Sequence, residues 1–328
     1  MANWQKLRPQ SVEGWLIWVI IIMVVFFTAM SPQFLTIQNL LDLSESYAVT
    51  GVFALGLFVV LVTGGIDISF AAVASVVQYV IATWLLQGII ASPALSITLA
   101  IVIGIAFGLI NAILIYSLNV VSIIITISMQ SLLFGMLMWL TNGHSIYDLP
   151  DWWVDPVTIL PFEVDGEYYQ VGLPLLVMLG IAFLTCMSGS NINATWFSGI
   201  RTDRVMIAIY TISSLLCVLA GLIMMARFNS ARMGYGDSYL LLTILAIVLG
   251  GTNPFGGVGK VSRVFCALLV LQVIATGLSL LGVSLHFNLA VWGITLILAL
   301  AFKFFKERWS AKRAMTRNQR LNKTSPQS

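Results

Sequence analysis

Residues 47–87 read YAVTGVFALGLFVVLVTGGIDISFAAVASVVQYVIATWLLQ. Two apolar runs, 47–63 and 70–87, flank the break Thr63-Gly64-Gly65-Ile66-Asp67-Ile68-Ser69, and Asp67 is the lone charge in the stretch. Apolar runs of about 20 residues are long enough to cross a bilayer as helices. The same pattern continues outward in both directions. Further runs lie near 15–30, 95–117, 122–140, 171–188, 205–225, 239–250, 264–281 and 288–304. The expected fold class is therefore all-α, a polytopic membrane helix bundle of about ten transmembrane helices.

Composition supports the same reading and excludes others. Charged residues make up 9% of the 328 and hydrophobic residues 59%, with a mean hydropathy of +0.98. An ordinary soluble domain carries roughly 25% charge. So few charges cannot clothe a soluble globule of this size, and the composition equally excludes a disordered or disulfide-stapled chain. The three cysteines, Cys186, Cys217 and Cys266, lie inside apolar runs and read as small core residues.

The few charges lay out a topology. Lys6 and Arg8 stand at the start, and the next basic residue is Arg201. The tail carries Lys303, Lys306, Arg308, Lys312, Arg313, Arg317, Arg320 and Lys323 against the single acid Glu307. Because basic flanks stay inside, both termini are read as cytoplasmic. Residues 1–14 form a cytoplasmic N-terminal tail, 15–304 one transmembrane domain, and 305–328 a basic cytoplasmic tail held near anionic lipid. No basic domain accompanies the tail, so nucleic acid is not a partner. Residues 141–170 hold Asp148, Asp151, Asp155, Glu163, Asp165 and Glu167 with no Lys or Arg, among Trp152, Trp153, Tyr168 and Tyr169. This is read as the main loop on the outer, periplasmic side. Residues 189–204, with Arg201 and Arg204, fall inside. Arg227 and Arg232 fall outside, against the rule.

Two glycine-rich breaks interrupt the apolar pattern. One is Gly64-Gly65 with Asp67; the other follows the short run 239–250 and spans Gly250-Gly251 to Gly256-Gly257. Non-helical backbone near a membrane survives only where protein or water satisfies its polar groups, and paired breaks of this kind mark permeation paths in transporters. Gating and helix-end geometry are assigned to these glycines and to Asp67. The carboxylate of Asp67 either caps the helix that follows or sits within the bilayer in a conformational role; the cap is the simpler reading. Gln78, Asn111, Gln130 and Gln272 are the amides inside apolar runs. Amides both donate and accept, which suits sugar hydroxyls and helix–helix bonds alike, so the four are candidates for a weakly polar translocation path. Gly104 and Gly108 form a GxxxG for close helix packing, within the bundle or across a dimer.

Other chemistries drop out. The lone His144 and His286 make no metal motif, and no Ser/His/Asp triad can be assembled, so no enzymatic role is expected. Gly256-Gly257-Val258-Gly259-Lys260 is not a phosphate loop, because Pro254 stands where its first glycine is needed and Val261 where Ser or Thr is needed. The chain binds no cofactor by this reading.

Several strings, in order along nearly the whole chain, resemble the permease subunits of bacterial ABC importers for simple sugars, the family of ribose, xylose, arabinose and autoinducer-2 permeases. They are Ser31-Pro32-Gln33-Phe34-Leu35, the break 63–69, Gly108-Leu109-Ile110-Asn111, Ser198-Gly199-Ile200, Val248-Leu249-Gly250-Gly251-Thr252 and Gly256-Gly257-Val258-Gly259. The resemblance implies a multi-pass permease of the bacterial inner membrane that moves a monosaccharide or small polyol. It implies two cytoplasmic ATPase subunits, which hold the ATP and Mg, a second permease copy or relative, and a periplasmic sugar-binding protein. It also implies that 189–204 couples to the ATPase, through Asn191, Ala194, Phe197, Ser198, Gly199 and Ile200. A basic step that the family carries just before this segment is absent here.

Two other function classes compete. An ion-coupled secondary transporter needs ionisable groups at mid-membrane, and only Asp67 is available for that role. A non-transporting membrane scaffold needs no path at all.

Overall fold

The computed structural model describes residues 12–154, 158–164, 167–187, 202–253, 256–257, 259–284, 287–298 and 301. Ten helices longer than two turns occur among them, one for each apolar run. They are α1 (Val12–Met30), α2 (Ile37–Val62), α3 (Phe70–Leu86), α4 (Pro93–Leu118) and α5 (Ser122–Thr141), then α6 (Leu173–Met187), α7 (Thr202–Phe228), α8 (Asp237–Leu249), α9 (Val261–Leu280) and α10 (Phe287–Leu298). Six of these, α1, α2, α4, α5, α7 and α9, are long and apolar enough to cross a membrane. The other four are shorter apolar helices.

Local chemistry sets the boundaries. Thr36 caps α2, its hydroxyl accepting from the Asn39 N–H, and Ser92 caps α4 by accepting from Leu95 N–H, with Pro93 in the first turn. Asn119 and Asn142, in the left-handed conformation, end α4 and α5. Asparagine tolerates that conformation where most residues do not.

The bundle is built around α2 and α7. From Ala48 to Val62 nearly every α2 side chain is buried, so this helix is surrounded by protein. It packs on α6, α7, α8 and α9, while α7 also packs on α3 and α4, and α1 lies along α9. By contrast, α1, α4 and α5 each expose a broad apolar face, including Trp18, Ile22, Ile101, Ile113, Phe134 and Trp139. Such faces suit lipid or a second subunit rather than water.

The GxxxG motif works inside the chain. A Cβ on Gly104 would lie 2.8 Å from Val218 Cγ2, and one on Gly108 would lie 2.6 Å from Thr211 Cα. The Ser214 hydroxyl donates to the Gly104 carbonyl at 2.7 Å across the same contact. The glycines therefore let α4 and α7 approach closely. Gly108→Val drives a side chain into α7 backbone and is expected to lower stability by about 1–3 kcal/mol, read as a drop in the detergent melting temperature.

The acidic stretch 141–170 contains more order than the loop expected of it. Strand β1 (Ile146–Tyr147) pairs antiparallel with β4 (Ser230–Ala231), and β2 (Thr158–Val164) with β3 (Glu167–Gly172). Asp151–Val154 forms a single helical turn. Short strands with acids between them give a weak alternation signal, which is why the sequence reads as loop.

The two arginines that break the charge rule have local partners. Arg227 pairs with Glu45 at 3.3 Å, donates to the Asp42 carbonyl, and lies over the Phe228 ring. Arg232 sits 4.9 Å from the Tyr235 ring centroid. Arg263 pairs with Glu13 at 2.8 Å, tying α9 to the start of α1.

Candidate functional site

Just past the end of α2 the chain reverses. Gly64, at φ 85°, donates to Leu61 O at 2.9 Å, and Gly65 donates to Val60 O at 3.2 Å. A Cβ on Gly65 would stand 2.6 Å from the Tyr210 hydroxyl, so the turn needs its bare backbone. The chain then climbs back along the bundle without helix. Ile66 N–H donates to Ser122 Oγ at 2.9 Å, and Ile66 O accepts from Thr126 Oγ1 at 3.1 Å. These side chains of α5 replace the missing ladder. Helix α3 starts at Phe70, whose ring centroid lies 5.5 Å from that of Phe53. Phe53 is nine residues before the end of α2, roughly 14 Å at 1.5 Å per residue.

A second segment enters from the opposite end. After α7 stops at Phe228, Ser230 and Ala231 pair with Tyr147 and Ile146, and the chain descends to Gly236. Gly236 lies against the first turn of α3: a Cβ there would be 2.5 Å from Ala71 O. Tyr239, in the first turn of α8, lies 5.7 Å from Phe53, ring centroid to ring centroid. From this shared depth α3 and α8 run to opposite ends. Tyr79 of α3 reaches the His144 carbonyl at 3.1 Å, whereas α8 ends at Leu249 with Gly250 against Val264 N. Two short helices thus begin part-way through the bundle, each behind a non-helical segment, the arrangement seen where irregular backbone lines a path.

The two glycine breaks meet. Gly257 N–H donates to Val62 O at 2.9 Å. Gly256, at φ 88°, packs so closely that a Cβ on it would lie 2.7 Å from Gly64 N. Gly251 also has positive φ, 79°, but open space around it. Gly64, Gly65, Gly256 and Gly257 therefore form one junction, with Gly250 seated on α9.

Asp67 stands within the climbing segment and is 3% exposed. Its Oδ1 accepts from Ser69 N–H at 2.9 Å and from Ser69 Oγ at 2.7 Å, and its Oδ2 faces Ser213 Oγ at 3.5 Å. The carboxylate thus receives donors from Ser69, the residue just before α3, while also facing α7; α3 itself has no side-chain cap bond at Ser69. Ser69 Oγ accepts in turn from Asn111 Nδ2 at 2.9 Å. This network is fully inside protein, which a short cytoplasmic turn would not be.

The four amides do not converge on one point. Gln78 is fully buried and braces the second descending segment, its Nε2 donating to Arg232 O at 3.0 Å. Asn111 is buried and braces the first through Ser69. Gln272 is buried on α9, and Gln130 is half-buried on α5. Sequence reasoning passed over Ser69, Ser122, Thr126, Ser213 and Tyr210, which hold the break. Their signal was a small hydroxyl within an apolar run, too common to single out. Asn191, Ala194, Phe197, Ser198, Gly199 and Ile200 lie outside the described residues. Among the described residues no group of His, Cys, Asp or Glu is arranged to hold a metal ion.

Comparison with known proteins places this geometry. The family model described as branched-chain amino acid transport system / permease component matches residues 39–300. The ribose import permease protein of Bacillus subtilis (strain 168) is 32% identical over 294 residues, covering 85% of this chain and 88% of that protein. The ribose import permease protein of Escherichia coli (strain K12) is 30% identical, covering 86% and 90%. The autoinducer 2 import system permease protein of Escherichia coli O9:H4 (strain HS) is 28% identical, covering 90% and 94%. No solved structure matches the chain. With the family model covering both glycine breaks and all but the first helix, and with full-length permease relatives, the chain belongs to the membrane permease components of this transport family.

Proposed function

We propose that this chain is the membrane-spanning permease subunit of an ATP-driven importer for a monosaccharide or similar small polyol. The observation that carries the reading is its similarity to ribose import permeases over almost the whole of both chains. In this reading all ten helices lie in the inner membrane of a bacterium, with both termini cytoplasmic and the segment 141–170 periplasmic. A second permease, identical or related, completes the path. Separate cytoplasmic ATPase subunits hold ATP and Mg and dock on 189–204, and a periplasmic binding protein delivers the sugar. The permease carries out no bond-breaking chemistry of its own.

The path is gated where the glycine breaks meet. Asp67 and Asn111 fix the angle at which α3 starts, Gln78 fixes the descent toward α8, and Gln130 and Gln272 offer amides toward the path. Alternating access then needs relative motion of α3 and α8 about the junction of Gly64, Gly65, Gly256 and Gly257. Positive-φ glycines permit that motion without side-chain collisions.

The test is uptake of labelled ribose into proteoliposomes holding the permease, its ATPase and its binding protein. ATP supplied on the ATPase side should drive uptake, and scrambling 191–200 should abolish it and release the ATPase. Uptake driven by an ion gradient without ATP would overturn the reading.

A further inference from the structure

We propose that the Asp237 carboxylate and the Ser238 hydroxyl, at the start of α8, contact the transported polyol midway across the bilayer. This rests on the importer reading above and adds a place for the substrate within it.

The first step is depth. Tyr239 and Phe70 both lie against Phe53 of α2. The apolar part of α2 runs from Tyr47 to Val62. Phe53 is six residues from one end of it and nine from the other, roughly 9 and 14 Å. Asp237 is two residues before Tyr239, at the inner end of the segment that descends from Phe228. It stands in the middle of the apolar depth and not at a membrane surface.

The second step is exposure. Asp237 and Ser238 are both exposed, while Gly236 beside them is buried against Ala71. The ion pairs formed among the described residues, Arg227–Glu45 and Arg263–Glu13, do not involve Asp237. A charged side chain at the bilayer centre is costly against lipid, and such groups face water-filled cavities or partners. Acyl chains are a costly environment for this carboxylate; an aqueous path accommodates it, and a polar face of the second permease subunit is the alternative that the sugar-protection measurement below separates from it.

The third step is chemistry. Asp237 contrasts with Asp67, at comparable depth, which is buried and occupied by Ser69 and Ser213. One acid is consumed in holding the fold; the other is left free. A carboxylate accepts two O–H bonds from neighbouring hydroxyls of a sugar, and a serine hydroxyl both donates and accepts. Charge-assisted bonds of this kind are the stronger ones. An anionic substrate would be repelled, so the site selects neutral polyols.

Two measurements test this. The first replaces Cys186, Cys217 and Cys266 by Ser and introduces Asp237→Cys. The new thiol should react with a membrane-impermeant methanethiosulfonate, and a mixture of ribose, xylose and allose should slow that reaction. A thiol that stays unreactive, or whose rate is the same with and without sugar, overturns the proposal. The second is ATP-driven ribose uptake, in which Asp237→Asn should raise the half-saturating concentration about tenfold or more, with Asp237→Glu closer to the unchanged protein. The complex should keep its assembly state on a sizing column. Unchanged uptake kinetics, or separation of the permease pair, would place Asp237 outside the path. If the unaltered complex takes up sugar and the variants behave identically to it, only this inference fails. If the unaltered complex takes up no sugar with ATP, the importer reading itself fails.

Discussion

Gly256→Val is expected to lower stability by more than about 2 kcal/mol and to cut sugar uptake more than about tenfold. Two separate costs combine. At φ 88° a β-branched residue is strained, because its branches collide with the adjoining backbone. In addition, the new Cβ would lie 2.7 Å from Gly64 N and 2.8 Å from Gly64 Cα. Both are backbone atoms, so no side-chain rotation relieves the contact. The break must open, and the bond from Gly257 N–H to Val62 O is lost with it. Two companion variants separate the costs. Gly256→Asn keeps the collision but suits the positive φ, so it should recover part of the stability. Gly251→Asn, at φ 79° with nothing within 4 Å of its added Cβ, should stay close to the unchanged protein. Melting in detergent and ATP-driven uptake provide the readouts. Equal stability of Gly256→Val and Gly251→Asn would show that the two breaks do not touch.

That contact shows which parts of the site were legible in the sequence. The helices were, since each apolar run from 15–30 to 288–304 corresponds to one helix. Hydrophobic content is a property of a window of residues, so it can be read along the chain. The glycine breaks were also visible as positions where helix must stop. Their contact with each other was not, because Gly64 and Gly256 are brought together by packing of α2 against α8 and α9. Nothing local to either string encodes the other. For the same reason Gln78 and Asn111 looked like a set with Gln130 and Gln272, whereas their partners, Arg232 O and Ser69 Oγ, assign them to bracing two different segments. From the sequence Asp237 reads as the one acid beside Arg227 and Arg232 in an outer loop, because a carboxylate at the edge of an apolar run normally marks a membrane surface. Only the descent from Phe228 to Gly236 carries it inward. The strands of 146–172 were missed because the acids dominated the reading.

Asp67→Ala is expected to destabilise the chain by about 3 kcal/mol or more, the largest loss among polar substitutions in the break. The carboxylate is buried and receives the Ser69 N–H and Ser69 hydroxyl, with Ser213 Oγ at 3.5 Å on its other oxygen. Truncation leaves those donors inside protein with no acceptor, and each unsatisfied buried group costs about 1–3 kcal/mol. Water cannot readily replace the carboxylate, since Ser69 and Ser213 are themselves fully enclosed or nearly so. The damage spreads along the network, because Asn111 Nδ2 depends on the position of Ser69 Oγ. Asp67→Asn keeps one acceptor oxygen and the shape, so it should lose less, about half as much if Ser69 takes the amide oxygen. The order of melting temperatures, unchanged protein above Asp67→Asn above Asp67→Ala, checks the structural role. Transport separates that role from ion coupling. If Asp67 only sets the start of α3, ATP-driven uptake by Asp67→Asn keeps its dependence on external pH and sodium. A proton- or sodium-coupling carboxylate would lose that dependence on amidation. Loss of it in Asp67→Asn, with the fold intact, would move Asp67 from the scaffold to the transport cycle.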